Sequence, residues 1–240
     1  MPARTAPRQR KASAGLSNRV DERVFKSLDL RRFADFAQGR EEQIIVAAFH
    51  CISDIGIAAT TTRAVAQKAA MNLGAIHYYF RSKDALLLGV LKQLMKHKIK
   101  LFNTIRQSNL TPTQKIYCLF RSSSNFIQNR EEVVATISLW AHAVAQGGGW
   151  QSTYRKLFDE LRSELKAIID EGVALGEFHN TDSRVLAETI IVAVQGISMH
   201  FVMTPSDFQR ESLTDRLVKL FLPILGIEER WTAGAVISRA

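Results

Sequence analysis

The residues of this chain that are best suited to chemistry lie in the segment 72–83. A run from His77 to Tyr79 offers an imidazole and two phenol groups, all of which can form hydrogen bonds. The segment contains no Asp or Glu, and Lys83 adds a positive charge at its end. Gly74 and Ala75 are small enough to let the backbone come close to a phosphate or a base edge. These residue types indicate contact with a nucleic acid.

Three closely spaced helix starts position this segment. Thr60 to Thr62 predict the start of a short helix of about two turns, because a threonine hydroxyl can accept a hydrogen bond from a first-turn N–H. Asn72 predicts a second start, and Ser82 precedes a third, longer helix. Two short helices that are connected by only two or three residues are typical of a helix-turn-helix, whose second helix lies in the DNA major groove.

The excess positive charge lies in the same half of the chain as this motif. Of the 240 residues, 1–110 hold 19 Lys and Arg against 8 Asp and Glu, whereas 111–240 hold 13 against 15. Such asymmetry favours attraction to phosphate. A basic interaction or membrane-surface protein would have it as well. That alternative leaves the three helix starts and the acid-free aromatic segment unexplained.

Several other classes of function lack a signal in the sequence. We find no nucleophile motif, no glycine-rich phosphate loop and no metal-ligand spacing, so we expect neither an enzyme nor a bound cofactor or metal. Cys51 and Cys118 are too few for a disulfide framework, which fits a reducing cytoplasm. The longest apolar runs, 133–145 and 189–203, are shorter than the roughly 20 residues of a membrane span, so we expect no membrane association.

The region 41–90 resembles the DNA-binding region of the TetR family of bacterial transcriptional regulators. The residues that carry the resemblance keep fixed offsets from one another: Ile45, Ala48, Phe49, Gly56, Thr60 to Thr62, Val65, Ala66, Gly74, His77 to Phe80, Lys83 and Leu86. Two positions depart from the family pattern. Ala70 replaces a usual turn Gly, which would cost about 1–2 kcal/mol if that residue is left-handed. His77 replaces a usual Tyr.

The resemblance implies which residues contact DNA. Thr62, Arg63, Tyr78 and Lys83 are the expected phosphate contacts. The residues expected at base edges or close to the groove are Asn72, Leu73, Ala75 and His77.

The remainder of the chain predicts an all-α architecture with three parts. Residues 1–39 form a basic extension, with a disordered arm over 1–18 and a possible extra helix in 19–38. Residues 40–88 form the helix-turn-helix domain, in which helix 1 runs over 40–55 and ends at Gly56. Residues 89–228 form a helical effector-binding and dimerisation domain, joined to it by a long helix 4 from Ser82 to about Gln107, whose Lys92, Lys96, Lys98 and Lys100 are expected to face solvent. Gly147 to Gly149 are expected to form a mobile loop.

Helix 8, over 182–203, is apolar almost all round and so needs two neighbours, one of which would be a second subunit. Together with helix 9, over 210–225, it is the expected homodimer interface. The family places a small-molecule effector among helices 4 to 8, for which we expect a largely apolar ligand and contacts from Phe120, Trp140, Met199 and His200. Ser138 to Trp140 and Glu171 to Phe178 loosely resemble the BetI-like type of C-terminal domain.

The combined expectation is a TetR-type transcriptional regulator. It would bind a pseudo-palindromic double-stranded DNA operator as a dimer, usually as a repressor, and would be released by its effector.

Overall fold

The computed structural model describes residues 33–37, 39–208 and 213–227. Within these ranges the chain forms nine α-helices, two 3₁₀ helices and no strand, which confirms the predicted all-α class. The 3₁₀ helices are Phe33–Phe36 and Pro205–Phe208. The α-helices are α1 Arg40–Ala59, α2 Thr62–Lys68, α3 Leu73–Tyr79, α4 Lys83–Gln107, α5 Pro112–Gln128, α6 Arg130–Gln146, α7 Gly148–Ala174, α8 Ser183–Met203 and α9 Leu213–Ile224.

Helices α1, α2 and α3 pack around a small apolar core. Ile44, Phe49 and Ile52 of α1 are buried against Val65 of α2 and Ile76 of α3. Gly56 adopts a positive φ of 75°, as its expected helix-closing role requires. The helix does not end there, because one further turn continues to Ala59 beyond the kink.

The predicted caps of the next three helices are present. The hydroxyl of Thr61 accepts a hydrogen bond from the N–H of Ala64 at 3.1 Å. The side chain of Asn72 accepts from the N–H of Ala75 at 2.8 Å, and that of Ser82 from the N–H of Ala85 at 3.0 Å. Each bond satisfies a first-turn donor that has no partner inside its helix.

Helix α4 links the N-terminal helices to the remainder of the fold. It packs along α7 and also contacts α1. Helix α8 lies on α7, and α9 lies on α5. Helix α6 packs extensively against α1, so the N-terminal helices rest on α6 as well as on the shaft of α4.

The prediction of a mobile loop at Gly147 to Gly149 is wrong. Only Gly147, at φ 66°, separates α6 from α7. Its carbonyl oxygen accepts hydrogen bonds from the N–H groups of Trp150 and Gln151, so the chain turns and enters α7 at Gly148.

The end of α7 depends on a close contact that only glycine permits. The backbone carbonyl of Gly172 accepts from the N–H groups of Glu177 and Phe178, which folds the chain back onto the helix. A Cβ on Gly172 would lie 2.1 Å from the Phe178 ring. The ring therefore packs directly on the backbone at this position.

By length and composition alone, helices α1 and α8 are long and apolar enough to cross a membrane. This differs from the expectation of shorter apolar runs. The core helix of a folded domain meets the same criteria, and one apolar side of α1 is buried in the core. Four predicted segments lie outside the described residues: the arm 1–18, the possible helix in 19–38 apart from 33–37, residues 210–212 of helix 9, and the tail from 228.

Candidate nucleic-acid interface and effector cavity

Helix α3 presents one side to the core and the other to solvent. Ile76 is fully buried, and Phe80 at the end of the helix is also buried. On the opposite side Tyr78 is 82% exposed, and its ring meets that of Tyr79 edge to face with centroids 5.0 Å apart. A fixed, exposed aromatic pair on a helix without carboxylates is suited to lie against a phosphate backbone.

The structure brings the predicted DNA contacts together on α2, α3 and the start of α4. Five of them are exposed and Thr62, Ala75 and Lys83 are half-buried; the exposed ones are Arg63, Asn72, Leu73, His77 and Tyr78. The Asn72 side-chain oxygen caps α3, which leaves its amide nitrogen as the group for a base edge. Contact with DNA stays a prediction for all eight residues.

Lys83 has a structural role that the sequence did not reveal. Its ammonium donates hydrogen bonds to the backbone oxygens of Ile57 at 2.6 Å and Ala58 at 3.1 Å. These carbonyls belong to the last turn of α1. Because an ammonium has three donors, one remains for a phosphate.

A second lysine near this face is already paired. The ammonium of Lys68 donates to the carboxylate of Asp54 at 3.0 Å, and that hydrogen bond raises the pKa of Lys68. Both side chains are about half exposed. The exposed guanidinium of Arg63 is therefore the better positive charge on α2 for a phosphate.

Two carboxylate contacts join the N-terminal helices to α6 and α7. Asp84, in the first turn of α4, accepts a hydrogen bond from the indole N–H of Trp150 at 2.9 Å and lies 3.6 Å from His142. The Trp150 side chain is buried, and its ring packs edge to face on that of His142. At the other end of α6, Glu131 lies 3.3 Å from His50 of α1. We call the Asp84, His142 and Trp150 contact the joint.

A cavity of about 880 Å³ lies among α4, α5, α6, α7 and α8. Phe120 and Trp140, two of the predicted effector contacts, line it. Met199 and His200 do not line it, and both are exposed on α8. Positions 194, 195 and 198 face the cavity instead, because the helix turns about 100° per residue and carries 199 and 200 outward.

Lys98 corrects the expectation of a solvent-facing row of lysines on α4. Its ammonium lies 3.7 Å from the centre of the Phe126 ring and 6.0 Å from that of Trp140. Burial lowers the pKa of Lys98 to about 8, although the charge of Glu132 acts in the opposite direction. The Lys98 ammonium therefore lies at a cavity whose lining is largely apolar.

Glu132 is the buried carboxylate of this cavity. Its Oε1 atom accepts hydrogen bonds from the backbone N–H of Phe33 at 3.1 Å and from the Asn129 amide at 3.0 Å. Phe33 is buried against Phe49, with ring centroids 5.1 Å apart. The short helix before α1 is thereby tied to α6 beside the cavity.

Comparison with known proteins gives two family matches. A family model described as bacterial regulatory proteins of the tetR family matches residues 44–90. A second model, described as the C-terminal part of BetI-type transcriptional repressors, matches residues 123–222. Together these two models match more than half of the chain. The chain belongs to the TetR family.

The curated relatives of this TetR-family chain are transcriptional regulators and not enzymes. The regulator PksA of Bacillus subtilis is 25% identical over 170 residues, which cover 69% of this chain and 80% of PksA. The nicotine-responsive repressor HdnoR of Paenarthrobacter nicotinovorans is 22% identical over 193 residues, covering 78% of this chain and 96% of HdnoR. A solved TetR regulator from Haloarcula marismortui has the same fold, with a TM-score of 0.67 at 20% identity, covering 78% and 96% of the two chains.

The turn between α2 and α3 contains the alanine that replaces the family's usual glycine. Ala70 has a φ of 52°, so the position is left-handed. The N–H of Ala70 bonds to Gln67 at 3.2 Å, and that of Met71 bonds to Ala66 at 2.9 Å. A strained alanine therefore lies in the turn that joins the two short helices.

Sequence reasoning missed Lys98 and the joint. Lys98 follows Leu94 by four residues and precedes Phe102 by four, which places it on the apolar stripe of α4. That spacing was the available signal. The pairing of Asp84 with Trp150 spans 66 positions and leaves no local signal.

Proposed function

We propose that this TetR-family transcriptional regulator is a repressor that binds a pseudo-palindromic operator as a homodimer and leaves it when a small molecule enters the cavity. The observation that carries this proposal is the exposed, carboxylate-free side of α3. This side lies at the surface of a compact helix-turn-helix whose three caps fix its geometry. The repressor sense follows the description of the BetI-type match.

The eight predicted contacts have two roles in this proposal. The DNA phosphate backbone is contacted by Arg63, Tyr78 and Thr62. The remaining N–H donor of Lys83 adds a fourth phosphate contact. The residues at the N-terminal end of α3 and along its outer side read base edges; these are Asn72, Leu73, Ala75 and His77. A helix in the major groove with phosphate contacts from its flanks gives both register and sequence preference.

The proposed dimer forms through α8 and α9. The outer side of α8 exposes Val185, Val192, Met199 and Met203, each more than half exposed. Helix α9 adds Leu220 and Ile224, which are about half exposed. Gly196 lies on the same side of α8 with open space around it, so a second helix can approach closely. A two-fold dimer predicts half-sites about one helical turn of DNA apart, or a multiple of it.

Release follows from a shift between two dimer forms. DNA selects the form in which both α3 helices match the groove spacing, and the effector binds better to another form. His50 and Glu131 line the cavity, and α6 carries one residue of this contact and one residue of the joint. A change in α6 on binding would therefore move both. We place the protein in the cytoplasm, where its operator is.

The test is recovery of bound DNA. Purified protein is incubated with sheared genomic DNA from its source, and the retained fragments are sequenced. An enriched inverted repeat is the expected result. Uniform, salt-sensitive retention without an enriched site, also after addition of cell extract, would contradict the proposal and favour a basic interaction surface.

A further inference from the structure

The cavity has a polar end and an apolar body. Lys98 and Trp140 converge at the polar end, with the Phe126 ring beneath the ammonium. Aliphatic side chains line much of the remainder, among them Leu94, Leu101, Leu119, Leu161, Ile190 and Val194. A ligand that fills this space must therefore be amphipathic.

Lys98 and Trp140 each bring a donor without a hydrogen-bond acceptor to this end of the cavity. The indole nitrogen of Trp140 is buried and has no hydrogen-bond partner within the described part of the chain. Among the same residues, Lys98 has no carboxylate within ion-pair distance, and its ammonium rests on the Phe126 ring. A cation over an aromatic face is stabilised, but it keeps its unfilled N–H bonds.

The nearby acid does not fill this role. Glu132 is engaged by the N–H of Phe33 and the amide of Asn129. It acts on Lys98 only as a charge, and burial of the ammonium outweighs it. Leaving a buried donor unsatisfied is costly, so an acceptor that enters the cavity gains from both groups.

We propose that the effector is an organic acid with an apolar body, whose carboxylate binds between the Lys98 ammonium and the Trp140 indole N–H. This inference rests on the proposed effector-responsive function and names the chemical class of its ligand. A carboxylate supplies two acceptor oxygens, one for each donor, and its charge pairs with the ammonium. A cationic ligand would meet the charge of Lys98 and is disfavoured.

The apolar body can be an alkyl chain or an aromatic ring, and the experiment separates them. Isothermal titration calorimetry on the full chain uses decanoate and hydrocinnamate, each against its uncharged amide. We expect at least one acid to bind at least tenfold more tightly than its amide. The acid that shows this preference identifies the apolar body of the ligand as an alkyl chain or an aromatic ring.

Three variants test the assignment. Lys98→Met keeps the length of the side chain and should bring acid and amide within twofold of each other. Trp140→Phe removes only the indole part and should weaken the acid about three- to tenfold more than the amide, as expected for a lost hydrogen bond to a charged group. Lys96→Met, an exposed lysine on the same helix, should retain the preference of the unchanged protein.

Equal binding of acid and amide by the unchanged protein overturns the inference, and so does the absence of binding by both acids. These outcomes need no variant, so a variant that fails to fold does not decide the matter. The DNA-recovery experiment is independent. If an operator is enriched but neither acid binds, the proposed function holds and the proposed ligand class is wrong. If an acid binds but no operator is enriched, the cavity binds acids and the proposed DNA-binding function is wrong.

Discussion

Ala70 is the one non-glycine residue with a positive φ among the residues that the structure describes. Replacement by glycine removes the clash of Cβ with the backbone, worth about 1–2 kcal/mol, but adds about 0.5–1 kcal/mol of unfolded-state entropy. We therefore expect Ala70→Gly to raise the free energy of unfolding by about 0.5–1 kcal/mol in urea titrations. Ala58→Gly, in the exposed last turn of α1, is the control and should lower it. A lower free energy of unfolding in Ala70→Gly would contradict backbone strain at Ala70.

Lys83 combines the role expected from the sequence with the one seen in the structure. If its third donor contacts a phosphate, Lys83→Ala weakens binding to all DNA sequences and lowers the slope of log affinity against log salt by roughly one. Measurement of operator affinity across a salt series tests this, with the exposed Lys92→Ala as the matched control. An unchanged slope with reduced stability would leave Lys83 as a brace for the end of α1 alone.

Lys98 gives acid binding a characteristic pH dependence. The free ammonium has a pKa of about 8, and a bound carboxylate would raise it. Affinity should therefore be constant below pH 8 and fall towards tenfold per pH unit above it, because the free protein then loses the proton that the complex keeps. The other ionisable groups around the cavity are Asp35, His50, His97, Lys100, Arg130, Glu131 and Glu132. Calorimetry of decanoate from pH 6.5 to 9.5 measures the profile, and a flat profile in Lys98→Met assigns it; a fall that persists in that variant would assign it to another of these groups.

At the scale of elements, the joint connects the first turn of α4 to α6 and α7. Asp84→Ala leaves the buried indole N–H of Trp150 without its acceptor, which costs about 1–3 kcal/mol. We expect that loss in the free energy of unfolding. Asp54→Ala breaks the half-exposed ion pair with Lys68 and should cost less than about 1 kcal/mol. Equal losses in the two variants would show that the joint contributes no more than a surface pair.

Local signals predicted the elements well, and long-range contacts limited the prediction of the site. Thr61, Asn72 and Ser82 cap the helices at which they indicated starts, because a cap is decided within three residues. The glycines at 147–149 were wrongly predicted to form a loop, since their sequence does not show that positive φ values at Gly147 and Gly148 suffice for the turn. The inward position of Lys98 was readable from its spacing. The bond from Phe33 to Glu132 joins residues 99 positions apart and is set only by the packed fold.

At the scale of the whole molecule, we expect the exposed apolar side of α8 to be buried against a second subunit. Val192→Glu places a charge at the centre of the proposed interface, where it would be desolvated without a partner. We expect light scattering to show a monomer and operator affinity to fall at least tenfold. Arg184→Glu, an exposed change near the start of the same helix, should remain dimeric. A dimer that survives Val192→Glu would place the interface elsewhere.

The hydrogen bond between Trp150 and Asp84 has a practical consequence, because indole emission responds to its surroundings. Trp150 is only 5% exposed and marks the contact between the DNA-reading helices and the remainder of the molecule. Trp140 lies in the cavity, and the third tryptophan, Trp231, can be replaced by phenylalanine. With Trp140 also replaced by phenylalanine, which weakens effector binding without abolishing it, a red shift at saturating effector would report the joint opening in real time. Trp150 is thus an intrinsic fluorescence probe of the step between ligand binding and DNA release.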